Sequence, residues 1–228
     1  MKLTLNYAVI VAGGSGIRMG GDLPKQFLEL SGLPILMHTL NVFQKSNLFS
    51  GIVLVMHPDY HNYWQNLCIT HHFRVSHTLV KGGETRYHSV KNGLNALKGK
   101  SGLVAIHDGV RPLVTQALIG KCIDSAQKHG NAIPAINPHD SIRQGTFAQN
   151  HSCDRKEFWL VQTPQVFDLI GLANHYQTKW IEVFTDDASV AEMGGEIIHI
   201  IEGEKENIKV TTPVDIGIAE AILRLRNK

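Results

Sequence analysis

The feature that most constrains this fold is the alternation of short apolar runs with longer segments of helical periodicity. Apolar runs at about 7–12, 51–57, 75–80, 103–107 and 132–136 are mostly separated by segments with apolar residues at helical spacing. Such alternation indicates βαβ units and a parallel sheet. The runs lack the in–out alternation of half-exposed strands, so we expect both faces to be covered. The pattern predicts an α/β, Rossmann-like three-layer fold with a mainly parallel twisted sheet.

One segment breaks the alternation. From about residue 138 to 156 polar residues, His, Asn and Gly dominate, and apolar residues are few. Such a segment cannot form a core of its own and should pack on something else. We therefore expect residues 1–228 to form one domain with an arm at about 138–156.

Composition excludes several classes of protein. The 22 Lys and Arg against 20 Asp and Glu give a net charge of +2, too small to indicate a nucleic-acid or membrane surface. No apolar run approaches the roughly 18 residues of a bilayer-spanning helix. Three widely spaced cysteines are typical of reduced thiols, which favours a cytoplasmic protein.

A glycine-rich loop follows the first predicted strand, at residues 12–20 (AGGSGIRMG). Glycines directly after a buried strand free backbone N–H groups to surround an anion. The Lys-Ser/Thr pair of a P-loop is absent, and Met19 stands where a dinucleotide fingerprint needs glycine. Because Arg18 lies in this loop and Lys25 follows it, the segment predicts a polyphosphate site.

The motifs resemble a known family in order and spacing. The loop reads G-x-G-x-R-M and is followed by PKQ, as in enzymes that transfer a nucleotide from an NTP to a sugar phosphate. Further motifs resemble the 2-C-methyl-D-erythritol 4-phosphate cytidylyltransferase family; they are 82–86 (GGETR), 107–112 (HDGVRP), 162–167 (QTPQVF), 185–189 (TDDAS) and 207–213 (NIKVTTP). The resemblance covers about residues 8–216. The family commonly has Ala, Asp and Thr where this chain has Gly13, Glu84 and Ser141.

The resemblance implies a nucleotide-diphospho-sugar transferase type of fold with a protruding β-arm, and a role for individual residues. The implied catalytic cations are Arg18, Lys25 and Lys209. The implied CTP-binding residues are Ala12, Gly13, Gly14, Gly16, Gly83, Glu84, Ser89 and Gly109. The residues implied to bind the sugar phosphate are Asp108, Arg111, Ser141, Arg155, Thr163 and Thr185.

The resemblance also implies a cofactor and a partner. Mg²⁺ would be held by the triphosphate and Asp108, and a second copy of the chain would complete the site, with Arg155 reaching the partner's substrate in a homodimer with shared active sites. Physical chemistry supports a site built from cations. The attacking phosphate monoester is mostly a dianion at pH 7, so the reaction needs charge stabilisation rather than a general base. The acids at 186 and 187 are interpreted as a helix N-terminus.

Three alternatives stay open at the level of sequence. The same chemistry on ribitol 5-phosphate shares most motifs, although the TDDAS block and Asp154-Arg155 favour methylerythritol phosphate. An NAD(P)-dependent oxidoreductase is disfavoured by Met19 and by His57, which stands where such enzymes carry an acid. A non-catalytic nucleotide-binding regulator is disfavoured by the presence of Lys25, Asp108 and Lys209.

Overall fold

The secondary structure follows the alternation seen in the sequence. The computed structural model describes residues 5–13 and 23–226. Its helices are α1 (Ile35–Lys45), α2 (His61–Thr70), α3 (Arg86–Asn95), α4 (Gln116–His129), α5 (Leu169–His175), α6 (Asp187–Met193) and α7 (Pro213–Arg226). Its strands are β1 (Asn6–Ala12), β2 (Glu29–Leu30), β3 (Leu33–Pro34), β4 (Gly51–Met56), β5 (Thr78–Lys81), β6 (Leu103–Asp108), β7 (Asn131–Ile136), β8 (Ile142–Gly145), β9 (Asn150–Cys153), β10 (Leu160–Val161), β11 (Gln165–Asp168) and β12 (Ile200–Glu202).

The central sheet is mainly parallel. In the described part of the chain it has eight strands in the order β10-β7-β11-β6-β1-β4-β5, with β12 also paired to β7. β4 and β6 flank β1 and run parallel to it, and β5 pairs in parallel with β4. β11 lies antiparallel between β6 and β7. The predicted α/β fold class is confirmed, and the carboxyl ends of β1, β4, β5 and β6 meet at one edge of the sheet.

Helices cover both faces of this sheet. Along β1, Ala8 and Ile10 pack in one apolar cluster with α1 and α4, while Tyr7 and Val9 pack in another with α3, α5 and α6. Because successive side chains of a strand point to opposite faces, a strand covered on both sides is apolar throughout. This explains why the apolar runs in the sequence do not alternate.

Several predicted boundaries shift in the structure. The strand expected over 75–80 begins only at Thr78, because the His77 ring turns back to the Val75 carbonyl, 2.8 Å from it. The helix that follows this strand begins at Arg86, after the N-cap Thr85, whose hydroxyl accepts from the His88 N–H. The short strand β11 is absent from the sequence prediction, since its four residues include polar Gln165 and Asp168.

The segment at 138–156 contains a two-stranded hairpin, β8 with β9, in which Ile142 pairs with Cys153 and Gly145 with Asn150. Its side chains are largely exposed, and it forms a sheet separate from the central one.

The terminal helix α7 begins at Pro213, as the Thr-Pro-x-Asp pattern predicts, and Asp215 accepts hydrogen bonds from the backbone of Thr211 and Thr212 at 2.7 Å. Across the described residues, every helix is too short or too polar to cross a membrane.

Candidate active site

A cleft of about 880 Å³ opens at the carboxyl ends of the parallel strands. In open α/β sheets this is the edge where ligands bind. The described residues that line it come from the ends of β1, β4, β5 and β6 and from three loops; they are Val11, Ala12, Gly13, Lys25, Gln26, His57, Pro58, Gly82, Gly83, Glu84, Thr85, Arg86, Ser89, Asp108, Val110, Lys209 and Thr211. The topology therefore gathers motifs that lie up to about 200 residues apart in the sequence.

Two glycines at the cleft approach their neighbours closely, Gly83 in its wall and Gly109 against its floor. A Cβ on Gly83 would lie 2.4 Å from the Cβ of His88, and one on Gly109 would lie 3.0 Å from Leu36 and 3.2 Å from the Cβ of Ala12. The buried Ser89 hydroxyl accepts from the Gly83 N–H at 3.1 Å. This contact fixes the loop after β5 against the start of α3, so that the backbone of the loop faces the cleft.

Asp108, the last residue of β6, lies at the centre of a cluster of cations. Its Oδ1 is 3.3 Å from Nε of Arg86, and its Oδ2 is 3.0 Å from Nζ of Lys209 and 3.5 Å from Nε of Arg111. Burial by itself would raise the pKa of Asp108, but the charges of Arg86, Lys209 and Arg111 outweigh it and hold the pKa well below its usual range. Asp108 is therefore ionised at any physiological pH, and it holds three cations at one end of the cleft.

A buried histidine supports this cluster from below. The Thr163 hydroxyl accepts from the Asp108 N–H at 3.1 Å and lies 3.0 Å from Nδ1 of His107, whose Nε2 lies 3.2 Å from the Arg111 carbonyl. Since a carbonyl only accepts, Nε2 carries the ring proton and Nδ1 accepts from Thr163. Burial lowers the pKa of His107 to about 3, so the ring is neutral.

The loop that carries Lys209 is held by buried amides. Asn207, which is fully buried, donates to the Thr163 carbonyl at 2.9 Å, and its own carbonyl accepts from Nη1 of Arg111 at 2.8 Å. Gln162 donates to the Glu204 carbonyl at 2.7 Å. These contacts join the QTPQ and NIK motifs, which places Lys209 beside Asp108.

Sequence reasoning missed the ion pair behind Asp108. Arg86 donates from Nη1 and Nη2 to the two carboxylate oxygens of Asp187, at 3.1 and 2.6 Å, while its Nε faces Asp108. Asp187 is the first residue of α6, and the capping role belongs to its neighbour Asp186. The expectation that both acids mark a helix start is confirmed, but Asp187 also pairs with Arg86, which the sequence did not indicate. The available signal was that Arg86 and Asp187 are charged residues within two of the family-like motifs, GGETR and TDDAS.

The site residues singled out in the sequence fall into four groups. Ala12, Gly13, Lys25, Gly83, Glu84, Ser89, Asp108 and Lys209 line the cleft. Gly109, Arg111 and Thr163 pack against its floor, where the Thr163 side chain is buried and both of its hydroxyl contacts are within the protein. Ser141, Arg155 and Thr185 are exposed, and Arg155 donates to the carbonyl of His139. Gly14, Gly16 and Arg18 lie outside the described residues.

The expected magnesium ligand, Asp108, lies among cations in the described part of the chain. No group of three or more His, Cys, Asp or Glu side chains among the described residues is arranged to hold a metal ion. Both oxygens of Asp108 are already engaged by cations. Because Mg²⁺ keeps several waters and shares substrate phosphates, it needs only one or two protein carboxylates, and Asp108 as its ligand stays a prediction.

Comparisons with known proteins give one consistent result. Residues 6–225 match the family described as 2-C-methyl-D-erythritol 4-phosphate cytidylyltransferase (IspD). A protein of that name from Bacteroides thetaiotaomicron is 49% identical over 215 residues, which cover 94% of this chain and 98% of the relative. One from Geobacillus kaustophilus is 42% identical over 227 residues, with 97% and 99% covered. The crystal structure of 4-diphosphocytidyl-2C-methyl-D-erythritol synthase from Anaerococcus prevotii has a TM-score of 0.83 and 28% identity, and covers 98% of this chain and all of its own.

Proposed function

The chain belongs to the 2-C-methyl-D-erythritol 4-phosphate cytidylyltransferase family, and on that premise we propose how its cleft performs the transfer. The protein transfers CMP from CTP to 2-C-methyl-D-erythritol 4-phosphate and releases pyrophosphate, a step of isoprenoid precursor biosynthesis. The observation that carries this function is the cleft itself, where glycine backbone, Lys25 and the Asp108–Lys209 pair converge at one edge of a parallel sheet.

The nucleotide lies along the strand ends. The backbone of Ala12 and Gly13 approaches the phosphates and ribose, and Gly83, Glu84 and Ser89 face the pyrimidine from the loop after β5. Gly109 lies beside the ribose, as the family motif implies, and its backbone packs closely against Leu36 and Ala12. Gly14, Gly16 and Arg18 complete the phosphate loop, as the family motif implies. Cleft-lining Glu84 takes the place of the family's common Asp, one methylene longer at the same charge.

The sugar phosphate enters from the Asp108 side. One of its phosphate oxygens attacks the α-phosphorus of CTP while the bond from that phosphorus to the β-phosphate oxygen breaks and pyrophosphate leaves. No general base is needed, because the attacking phosphate is mostly a dianion at pH 7. Catalysis then consists of holding two anions together and stabilising the in-line transition state. Lys25, Arg18 and Lys209 supply the positive charge, and Arg111 and Thr185 contact the sugar phosphate.

Mg²⁺ enters as part of the substrate, bound to the triphosphate of CTP. The described residues support this assignment because the single acid at the centre of the cleft is held by three cations. Thr163 acts by orienting Asp108 and His107, since both of its hydroxyl contacts are inside the protein.

The sites are shared between two copies of the chain in a homodimer. Ser141 and Arg155 do not line the cleft of their own chain, and they lie on or beside the exposed hairpin. Large apolar side chains near this arm are also exposed, among them Phe147, Phe158 and Trp159. A partner chain that covers these residues would bring Arg155 to the neighbouring substrate. A cytoplasmic location belongs to the same proposal, and the three widely spaced free cysteines are typical of such a compartment.

Pyrophosphate release tests the function directly. We expect turnover with CTP and 2-C-methyl-D-erythritol 4-phosphate, and little with ribitol 5-phosphate or with UTP in place of CTP. Equal or faster turnover with ribitol 5-phosphate would contradict the assigned acceptor. Absence of turnover with every sugar phosphate, in a folded protein that binds CTP, would contradict the assigned reaction.

A further inference from the structure

The buried ion pair behind the cleft, Arg86 with Asp187, is surrounded by further hydrogen bonds that a salt bridge alone does not need. Asp187 is fully buried, and its Oδ1 accepts from the Tyr176 hydroxyl at 2.6 Å as well as from Arg86. The N–H groups of Asp187 and Ala188 both donate to the side-chain oxygen of Gln165 at 3.0 Å. The position of this carboxylate is therefore fixed by contacts from α5, β11 and α3.

Arg86 connects this fixed carboxylate to the cleft. Its two terminal nitrogens are bound by Asp187 in a fork, and its remaining Nε lies 3.3 Å from Oδ1 of Asp108. Because the guanidinium is planar and rigid, fixing two of its nitrogens also fixes the third. The Arg86 side chain is mostly buried while still lining the cleft. The orientation of the Asp108 carboxylate thus depends on a residue 79 positions away, Asp187.

Stability alone does not explain the arrangement. A buried ion pair gains little over well-packed apolar residues of similar volume, since desolvation offsets the attraction. Arg86 also adds a third positive charge beside Asp108, where Lys209 and Arg111 already provide two. The pair therefore adds a defined geometry at the Asp108 carboxylate.

We propose that Arg86 and Asp187 are positioning residues of the transfer reaction. Asp187 locks the Arg86 guanidinium, and Arg86 holds the Asp108 carboxylate in the orientation that sets Lys209 and Arg111 for the incoming sugar phosphate. This inference rests on the function proposed above and concerns the acceptor half of the site, because the nucleotide half is built from the glycine loops and Ser89.

The decisive variant removes both charges of the pair together. Arg86→Gln combined with Asp187→Asn keeps hydrogen-bonding side chains at both positions. It also leaves no unpaired buried charge, whereas a single replacement would leave one and would be strongly destabilising for that reason. A matched control is Glu196→Gln. It weakens another partly buried contact of the same region, with His175 at 2.7 Å, away from the cleft lining.

Two quantities separate positioning from general damage: the Kd of CTP alone, by calorimetry, and kcat/KM for the sugar phosphate. We expect the double variant to bind CTP within about twofold of wild type while its kcat/KM falls about 10- to 100-fold, the size expected when a reacting group is misplaced by about an ångström. Tyr176→Phe, which removes one contact to Asp187 and keeps both charges, should lower kcat/KM by a few-fold with unchanged CTP affinity. Glu196→Gln should change neither quantity.

A double-mutant cycle tests whether the pair acts through Asp108. The rate is measured by single-turnover kinetics with excess enzyme in an Asp108→Asn background. There, adding the two replacements should lower the rate by less than about threefold, because the effects of contacting residues that act as one unit are not additive. Losses that multiply would overturn the proposal, as would unchanged kcat/KM or an equal loss of CTP affinity. If the wild-type protein releases no pyrophosphate, the proposed function is wrong. If the wild-type protein is active and the double variant has the same kcat/KM, only the positioning role is wrong.

Discussion

The floor of the cleft and the exposed arm contribute to the same proposed site but are built in opposite ways. At the floor, Asp108 is 7% exposed and its charge is matched by cations of the same chain. On the arm, Arg155 is exposed and its guanidinium contacts only a carbonyl of its own segment among the contacts described, that of His139. The floor is organised within one chain, whereas Arg155 on the arm does not line the cleft of its own chain.

This difference indicates which residues depend on the fold and which depend on a partner. A change at the floor should affect both stability and turnover, because charge pairing there is part of the core. A change on the arm should affect turnover alone, since surface substitutions usually alter stability by less than about 0.5 kcal/mol. The predictions below test this contrast in order of expected effect.

The largest effect is expected for Asp108→Asn. Removing this charge leaves Arg86, Arg111 and Lys209 without their shared partner, and breaking a buried pair typically costs about 3–5 kcal/mol. Turnover should fall by about 10²–10³. Thermal unfolding and pyrophosphate release measure the two losses, with the exposed Asp124→Asn on α4 as the control. A variant that keeps wild-type Tm would contradict the structural half of the contrast.

Lys25→Ala is expected to lose turnover without losing stability. Lys25 lines the cleft, where a positive charge stabilises the transferring phosphate, so kcat should fall about 10²–10³-fold. Lys45→Ala, an exposed change at the end of α1, serves as the matched control. Arg18→Ala should behave like Lys25→Ala. Wild-type kcat with saturating Mg²⁺ and CTP would remove either residue from the catalytic set.

Arg155→Ala should reduce kcat/KM for the sugar phosphate by about tenfold and leave both Tm and the Kd of CTP unchanged, since it acts on the acceptor only. Lys156→Ala is the neighbouring control, with no assigned role. A fall in Tm comparable to that of Asp108→Asn would show that the arm belongs to the folded core rather than to a shared site.

The last expected effect is a gradual one, a pH dependence of stability. The pKa of His107 is about 3 in the folded protein, because the ring is buried, against about 6.5 for the unfolded chain. Between these two pKa values the unfolded chain binds a proton at His107 and the folded protein does not. The stability that depends on neutral His107 is therefore present above pH 6.5 and is lost as the pH falls toward 3. The limiting slope is about 1.4 kcal/mol per pH unit. Chemical denaturation between pH 7 and 4 should show a shallower slope for His107→Asn, whereas equal slopes would contradict the assignment.

The comparison also shows how far sequence reasoning extends. The parallel sheet follows from uninterrupted apolar runs, and the cleft from glycines and cations placed directly after strands. The Arg86–Asp187 pair does not follow, because it joins the start of α3 to the start of α6 across the fold and no local pattern encodes that contact. Strand β11 was missed for a related reason: four residues with polar ends become a central strand only when β6 and β7 supply both neighbours.

The central claim is that each cleft is built by its own chain and completed by the arm of the other chain, and mixing two impaired variants tests it most directly. Lys25→Ala and Arg155→Ala are co-refolded in equal amounts, and subunit exchange is verified with differently tagged chains. Random reassortment makes about half of the dimers mixed, and each mixed dimer then holds one site with both defects and one site with neither. The account predicts that roughly a quarter of wild-type activity returns. If Arg155 serves its own chain, every site carries one defect, and a mixture with proven exchange that shows no more than the average activity of the two separate variants would contradict the account.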